Sequence, residues 1–371
     1  MKILLFVLGA LCWLDWLPFI SINQLDFVHY FSFIFLLIVL LKEKKFDLKL
    51  NFNLKKVLIA YFLLILFSSF LNGVFPKSSL LISLMIVMII LSIKKIKKNH
   101  FINGFFFGGI ITIFYMYLLK NNFIIVDYYE LREALDISKY SSENLNEVVA
   151  LGLTNKNNKL SYLFSISTAL ILFSKQFNRL LMFSIVVLIL YFQVISGGAG
   201  GLIATVFILI TYFLPKHRKI RRFLIFILGL ILFLFLLFKF QDFSFLFYNE
   251  SGLSRLNQYY FSFYENYNVI FGNGYVSDVE LINAAYIHNF FLNNYYAGGI
   301  VGLIFSIIVV YILIKKIKSS GMNENFKIYM IFLLIIQCII ENNNILTTIG
   351  SYLVFWILLV PDIFINQKKT K

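Results

Sequence analysis

Long apolar runs recur from one end of this chain to the other, separated by short polar breaks, and that recurrence dictates what it can fold into. A helix crossing the hydrocarbon core of a bilayer needs about 20 mostly apolar residues. With no water nearby, its backbone groups must find their partners inside the segment. Twelve runs approach this description, at approximately 3–20, 28–41, 57–71, 78–93, 101–119, 160–174, 180–195, 199–214, 223–240, 289–314, 328–340 and 346–363. The composition agrees: 60% of the 371 residues are apolar and 14% charged, against roughly half and a quarter in soluble domains. The sequence therefore predicts an all-α polytopic integral membrane protein, a single transmembrane domain over 1–371 with about twelve helices. The first run follows Lys2 as a secretory signal would, but no small-residue cleavage site comes after it, and it reads as a retained helix. Cys12 and Cys338 both lie inside apolar runs and read as small core side chains rather than a bridge or a metal pair.

The net charge of +15 would suggest nucleic acid in a soluble protein, but its distribution gives it another meaning. With the N-terminus in the cytoplasm, 25 of the 33 Lys and Arg residues fall in inner segments. This is the positive-inside pattern, so the charge reports topology, both termini are expected in the cytoplasm, and no nucleic-acid partner is implied. The same topology leaves two long segments outside, 120–159 and 241–288, each expected to carry short helices. Loops of that length usually carry function.

The second outer segment holds most of the candidate chemistry. Tyr259, Tyr260, Phe263, Tyr264 and Tyr267 share a helical face and read first as an interfacial amphipathic helix, with a platform for sugar or prenyl packing as the functional alternative. Gly272 and Gly274 bracket Asn273 as in a turn needing positive φ; a phosphate-cradling loop is the weaker reading. Ser277 and Glu280 have capping-box spacing, which predicts a helix starting at Asp278 and running past His288. Asp278 and Glu280 also have the spacing of a cation-binding pair, although the helix-start reading is preferred. His288 is the sole histidine of the outer segments and precedes Asn289 and an apolar run. A neutral imidazole there is able to take a proton from a hydroxyl, or to serve simply as an interfacial polar cap. Arg132 and Arg255 are the outer arginines, and a guanidinium binds diphosphate or carboxylate oxygens bidentately. Arg132 is also able to pair with Asp136 along a helix. Asp15, within the first run, is a further candidate by virtue of its charge.

The order Gly272-x-Gly274, His288-Asn289, then Gly298 to Gly302 opening an apolar run resembles the signature of the O-antigen ligase and polymerase family. Gly152-Leu-Thr-Asn155-Lys-Asn157 is similar to that family's Gly…Asn-Pro-Asn motif, with Lys156 in place of proline. Ser196-Gly-Gly-Ala-Gly-Gly201 is similar to its Ser-Arg-Gly motif, with Gly197 where an arginine is usual. The resemblance covers roughly residues 150–320. It implies glycosyl transfer on the outer face of the bacterial plasma membrane from a polyprenyl-diphosphate-linked oligosaccharide, with no cofactor and, in the absence of a strong metal motif, no metal. His288 is then expected as general base and Arg255 as the group that stabilises the departing diphosphate. Arg132, Asn289, Asn157, Gly272, Gly274 and Ser196 are expected at the substrate. Without an arginine at position 197, more of the diphosphate binding falls on Arg132 and Arg255.

A repeat-unit polymerase is favoured over a ligase acting on lipid A-core because the chain is short and the ligase-type arginine is missing. A polymerase of this kind works beside a flippase and a chain-length regulator, the partners the resemblance implies. A lipid-linked oligosaccharide transporter is the reading from another class. It predicts charged or polar residues midway through several spans, or discontinuous helices. Apart from Asp15, the runs are almost bare of charge. The topology carries its own test. In a background lacking Cys12 and Cys338, cysteines at Asn144 or Asp278 should react with an impermeant thiol reagent added outside, and one at Lys219 only after the membrane is opened. The reverse pattern would invert the topology.

Overall fold

The computed structural model describes residues 2–13, 25–43, 52–76, 78–121, 157–173, 178–195, 199–213, 263, 268–275, 287, 289–340 and 349–361. Among them run eleven helices: α1 (Lys2–Leu11), α2 (Leu25–Glu43), α3 (Phe52–Leu71), α4 (Ser78–Ser92), α5 (Lys98–Lys120), α6 (Asn157–Phe173), α7 (Arg179–Ile195), α8 (Ala199–Phe213), α9 (Phe290–Ser319), α10 (Glu324–Ile340) and α11 (Ile349–Leu359). The chain is all-α, and three stretches, Asn53–Leu71, Lys98–Leu118 and Phe290–Ser319, are long and apolar enough to cross a membrane. Eleven of the twelve apolar runs coincide with helices at least in part. The run 223–240 lies outside the described residues, as do 122–156 of the first long outer segment and all of the second except 263, 268–275 and 287. Within the first run α1 ends at Leu11, where the chain tightens: Cys12 N donates to Gly9 O and Trp13 N to Ala10 O. At the other extreme, α9 continues past the apolar run to Ser319, with Lys316 and Lys318 in a last turn whose free carbonyls favour positive charge.

Helices meet where small residues let their backbones approach. On α1 and α5, a Cβ on Gly9 would stand 2.1 Å from Phe101 O, and one on Gly104 would stand 1.8 Å from Phe6 O. Without glycine at these positions the two axes would have to move apart, losing dispersion contact along the whole seam. Trp13 closes the seam by donating its indole N–H to Phe105 O at 2.7 Å. A second group comprises α6, α8 and α10, and α9 packs on both α3 and α10. At the centre lies α11, whose residues Tyr352 to Val360 are all buried, so it is a helix apolar on every side enclosed by others. Its C-terminal carbonyls are held by α5 and the turn before it: Lys98 Nζ donates to Leu358 O at 2.8 Å and Ile96 N to Pro361 O at 3.0 Å.

The outward faces are apolar too. Phe70 and Ile110 are 83% and 65% exposed, an arrangement costly against water and ordinary against lipid. Cys12 and Cys338 are both buried in the core and neither is in a disulfide, as their setting in apolar runs suggests. Replacing Gly104 by Leu should lower stability in detergent by about 3 kcal/mol or more, because backbone rather than a movable side chain occupies the space. Ile110→Leu on the exposed face of the same helix should change it by less than about 0.5 kcal/mol. Thermal unfolding of the two purified variants checks the contrast.

Candidate functional site

The helix α9 is broken near its start. Gly299 has φ 64° and ψ −159°, so Phe290–Gly298 and Ile300–Ser319 are two helical pieces with a turn between them. A break strands the last carbonyls of the first piece and the first amides of the second. The segment 268–275 supplies their partners. Val269 O accepts from Ile300 N at 2.8 Å and Ile270 O from Val301 N at 3.3 Å. Asn273 N donates to Tyr296 O and Gly274 N to Ala297 O, each at 2.9 Å. The end of α3 completes the joint. The Ser68 hydroxyl lies 2.6 Å from the carbonyls of both Phe271 and Ala297, donating to one at a time. Asn72 Nδ2 reaches Ser68 O at 2.7 Å and Gly272 O at 3.0 Å, and Ser69 Oγ accepts from Tyr275 N at 3.1 Å.

Glycine is required on both sides of this joint. Gly272 has φ 71°, and a Cβ there would stand 2.4 Å from the Ala297 carbonyl carbon; one on Gly299 would stand 2.2 Å from Ile270 O. Gly298 and Gly302, one turn apart, leave a groove that the Tyr275 phenol fills, since a Cβ on Gly298 would lie 2.6 Å from its oxygen. The turn anticipated at Gly272–Gly274 is therefore the conformation adopted, with φ 92° at Gly274. The amides of 272, 273 and 274 are all bonded to protein carbonyls.

Below the joint, the hydroxyls of Tyr61 and Tyr275 both donate to Asn294 Oδ1, the latter at 2.9 Å, while Asn294 Nδ2 donates to Phe290 O at 2.7 Å. The two phenol rings meet edge to face at 6.2 Å. Burial, reinforced by the neighbouring phenol, pushes the Tyr275 hydroxyl well above its usual range and keeps it a neutral donor.

Asn289 starts α9. Its Oδ1 accepts from Phe291 N at 3.0 Å and Leu292 N at 3.1 Å, and its Nδ2 donates to Ile339 O on α10 at 3.3 Å. The helix expected to run from Asp278 past His288 is corrected here: Ile287 and Asn289 are non-helical, and helix begins at Phe290. Asparagine is among the strongest N-caps, and an extended residue at φ −161° accepting two amides fixes the start at Phe290; Ser277 and Glu280 lie outside the described residues. Ile287 is buried against Tyr296 and Leu292, and its carbonyl accepts from Asn289 N at 2.7 Å.

The helices that follow the other two motifs meet one another. Gln193 Nε2 donates to Ser161 O at 2.8 Å and to Ser161 Oγ at 3.1 Å, joining α7 to the first turns of α6. A Cβ on Gly201 would stand 2.2 Å from the Ser161 carbonyl carbon, and one on Gly200 2.3 Å from the Tyr162 hydroxyl, so the glycines after Ser196 let α8 lie against α6. Asn157 is the first residue of α6. Phe173 meets Phe326, and Ser165 bonds to Tyr329, so α10 runs opposite to α6. Phe207 stacks on Phe332 and Asn325 donates to Thr211 O, so it also runs opposite to α8. The starts of α6 and α8 thus lie at the same end of the bundle as Ile339, which holds Asn289.

His288, Arg255, Arg132, Ser196, Asp15, Asp278 and Glu280 lie outside the described residues, as does the aromatic stretch 257–267 apart from Phe263. Charge-based reading passed over Tyr61, Ser68, Ser69, Asn72, Tyr275 and Asn294. Their sequence signal is polarity without charge, the pair Ser68-Ser69 closing a run before Asn72-Gly73 and Asn294 interrupting another. No family model, curated protein or solved structure matches the chain. Gly272→Ala should cost about 3 kcal/mol, since it adds both a disfavoured φ and a backbone clash. Gly321→Ala, in open space, should stay within about 0.5 kcal/mol of the parent. Melting curves of the two proteins measure the difference.

Proposed function

We propose that this chain is a membrane glycosyltransferase that polymerises polyprenyl-diphosphate-linked oligosaccharide repeat units into O-antigen or capsular polysaccharide on the outer face of the bacterial plasma membrane. The observation that carries the reading is spatial. The glycines that resemble the family signature, Gly272 and Gly274 on one side and Gly298 and Gly299 on the other, form one joint, and Asn289 starts the helix that contains it. Motifs far apart in sequence, at Asn157, Gly200–Gly201 and Asn289, gather at one end of the bundle. A shared end suits a single reaction site at one membrane face.

Twelve spans with cytoplasmic termini complete the proposal, resting on the apolar runs and the asymmetry of basic residues. In the reaction an acceptor sugar hydroxyl attacks the anomeric carbon, the bond from that carbon to the diphosphate oxygen breaks, and configuration inverts. His288 takes the hydroxyl proton, and Arg255, helped by Arg132, neutralises charge growing on the leaving diphosphate. Asn289 contributes through the helix start it fixes; Asn157 and Ser196 belong to the substrate side of the proposal. A flippase would deliver the substrate and a chain-length regulator would limit the product.

The transporter alternative loses support at the break in α9. Discontinuous helices in transporters turn free amides and carbonyls toward ions or substrates. Here four of those groups, the carbonyls of Tyr296 and Ala297 and the amides of Ile300 and Val301, are paired with Asn273, Gly274, Ser68, Val269 and Ile270. Surface glycan from a deletion strain tests the proposal: core capped with a single repeat unit, or loss of high-molecular-weight capsule, is expected. Naked core with long chains accumulating on the lipid carrier would instead identify a ligase. In the complemented strain, His288→Ala should lower polymer formation about 10²–10⁴-fold. Arg255→Lys, which keeps the charge and loses the planar fork, should also be severely impaired.

A further inference from the structure

We propose that Asn294 is a positioning residue: by joining the hydroxyls of Tyr61 and Tyr275 to the Phe290 carbonyl, it holds the start of α9, and with it Asn289 and Ile287, in one place relative to α3. The catalytic consequence rests on the reading of His288 as general base; the positioning itself does not. The network can be followed atom by atom. On α3, Tyr61 donates to Asn294 Oδ1, which also receives the Tyr275 hydroxyl. The amide end of the same side chain donates to Phe290 O, one turn back along α9. Phe290 adjoins Asn289, whose own carboxamide caps the helix and reaches Ile339 O on α10. Ile287, on the far side of position 288, is buried against Leu292 and Tyr296. The residues on either side of position 288 are thus tied to α3 through the buried carboxamide of Asn294 and to α10 through that of Asn289.

Two further features make the arrangement specific to Asn. Its carbonyl oxygen has two lone pairs, matching two phenol donors, and its amide supplies the donor that Phe290 O uses, so a carboxamide meets all three requirements in one side chain. Tyr275 is held at its other end by Ser69 Oγ and by the groove at Gly298 and Gly302, so its hydroxyl has little freedom to find another acceptor. Leucine at 294 would fill a similar volume and leave two buried phenols and a carbonyl to seek partners elsewhere.

The test uses the full chain in lipid nanodiscs with Cys12→Ala and Cys338→Ala, and Ile287→Cys as a reporter. In that parent the reporter thiol should react slowly with a maleimide, as expected for a position with no exposed surface. Asn294→Ala or Tyr275→Phe should speed labelling about tenfold by releasing the stretch. A cysteine at Phe75, 91% exposed and outside the network, should label at the same rate in every background. Tyr275→Phe keeps the ring in its groove and so answers the objection that the Ala variant has merely unfolded. Unchanged labelling at position 287 in both variants would overturn the proposal. Turnover of lipid-linked repeat units by the same variants, without the reporter, then reads the consequence: kcat should fall while KM for the lipid-linked donor stays within about twofold. Faster labelling with full kcat would overturn the catalytic consequence of the positioning. An inactive parent would refute the glycosyltransferase reading, and the labelling rates would still decide whether Asn294 holds the stretch.

Discussion

A helix interrupted among apolar neighbours must find protein partners for every backbone group the interruption frees. In water the solvent would take them; in hydrocarbon each unpaired group costs several kcal/mol. The break at Gly299 creates this debt, and the segment 268–275 with the end of α3 discharges it. Much of the surrounding structure follows from that need. Two backbones must touch, which excludes Cβ atoms at Gly272 and Gly299. A carbonyl at Ala297 must be reached from α3, which brings in Ser68. The Tyr275 phenol then lies in the groove at Gly298 and Gly302, within reach of Asn294.

Close backbone approach recurs away from the break. Gly201 against Ser161 and Gly9 against Phe101 allow α8 on α6 and α1 on α5 at separations that any larger residue would forbid. Between lipid-soluble helices the hydrophobic effect gives little preference for one contact over another, so shape and hydrogen bonding choose the partners. Polar side chains such as Gln193, Ser165 and Tyr329 add direction at those seams. The outcome is a bundle whose interhelical order is set mainly by where glycine permits contact, with its motif residues brought toward one end by the opposed run of α10.

Helix positions were legible in the sequence because an apolar run in a membrane protein has few alternatives to helix. The run 289–314 maps onto α9 and 57–71 onto α3, with differences confined to ends where polar residues extend the helix. The turn at Gly272–Gly274 was legible too, since glycine flanking Asn signals positive φ. The interruption at Gly299 was not, because Gly298-Gly299 within an apolar stretch serves equally for tight packing. Nor was the start of α9: the capping-box spacing at Ser277 pointed to a helix running through His288, whereas Asn289 starts α9 through two captured amides and an anchor on α10. Asn294 escaped notice for a different reason. A neutral amide carries no charge to count, and its importance arises from Tyr61, more than two hundred residues away, a pairing that no local pattern encodes.

The position of α11 bears on how the molecule comes into being. This helix, beginning at Ile349, is enclosed by elements synthesised far earlier, among them α1, α2, α4, α5 and α6. Until the ribosome reaches it, the faces those helices later turn toward Tyr352, Phe355 and Trp356 have only lipid or one another to cover them. Insertion and packing are therefore separated in time. The early helices are made well before α11, but their mutual arrangement becomes final only when this late arrival enters among them, and the nascent bundle must stay open on one side to admit it.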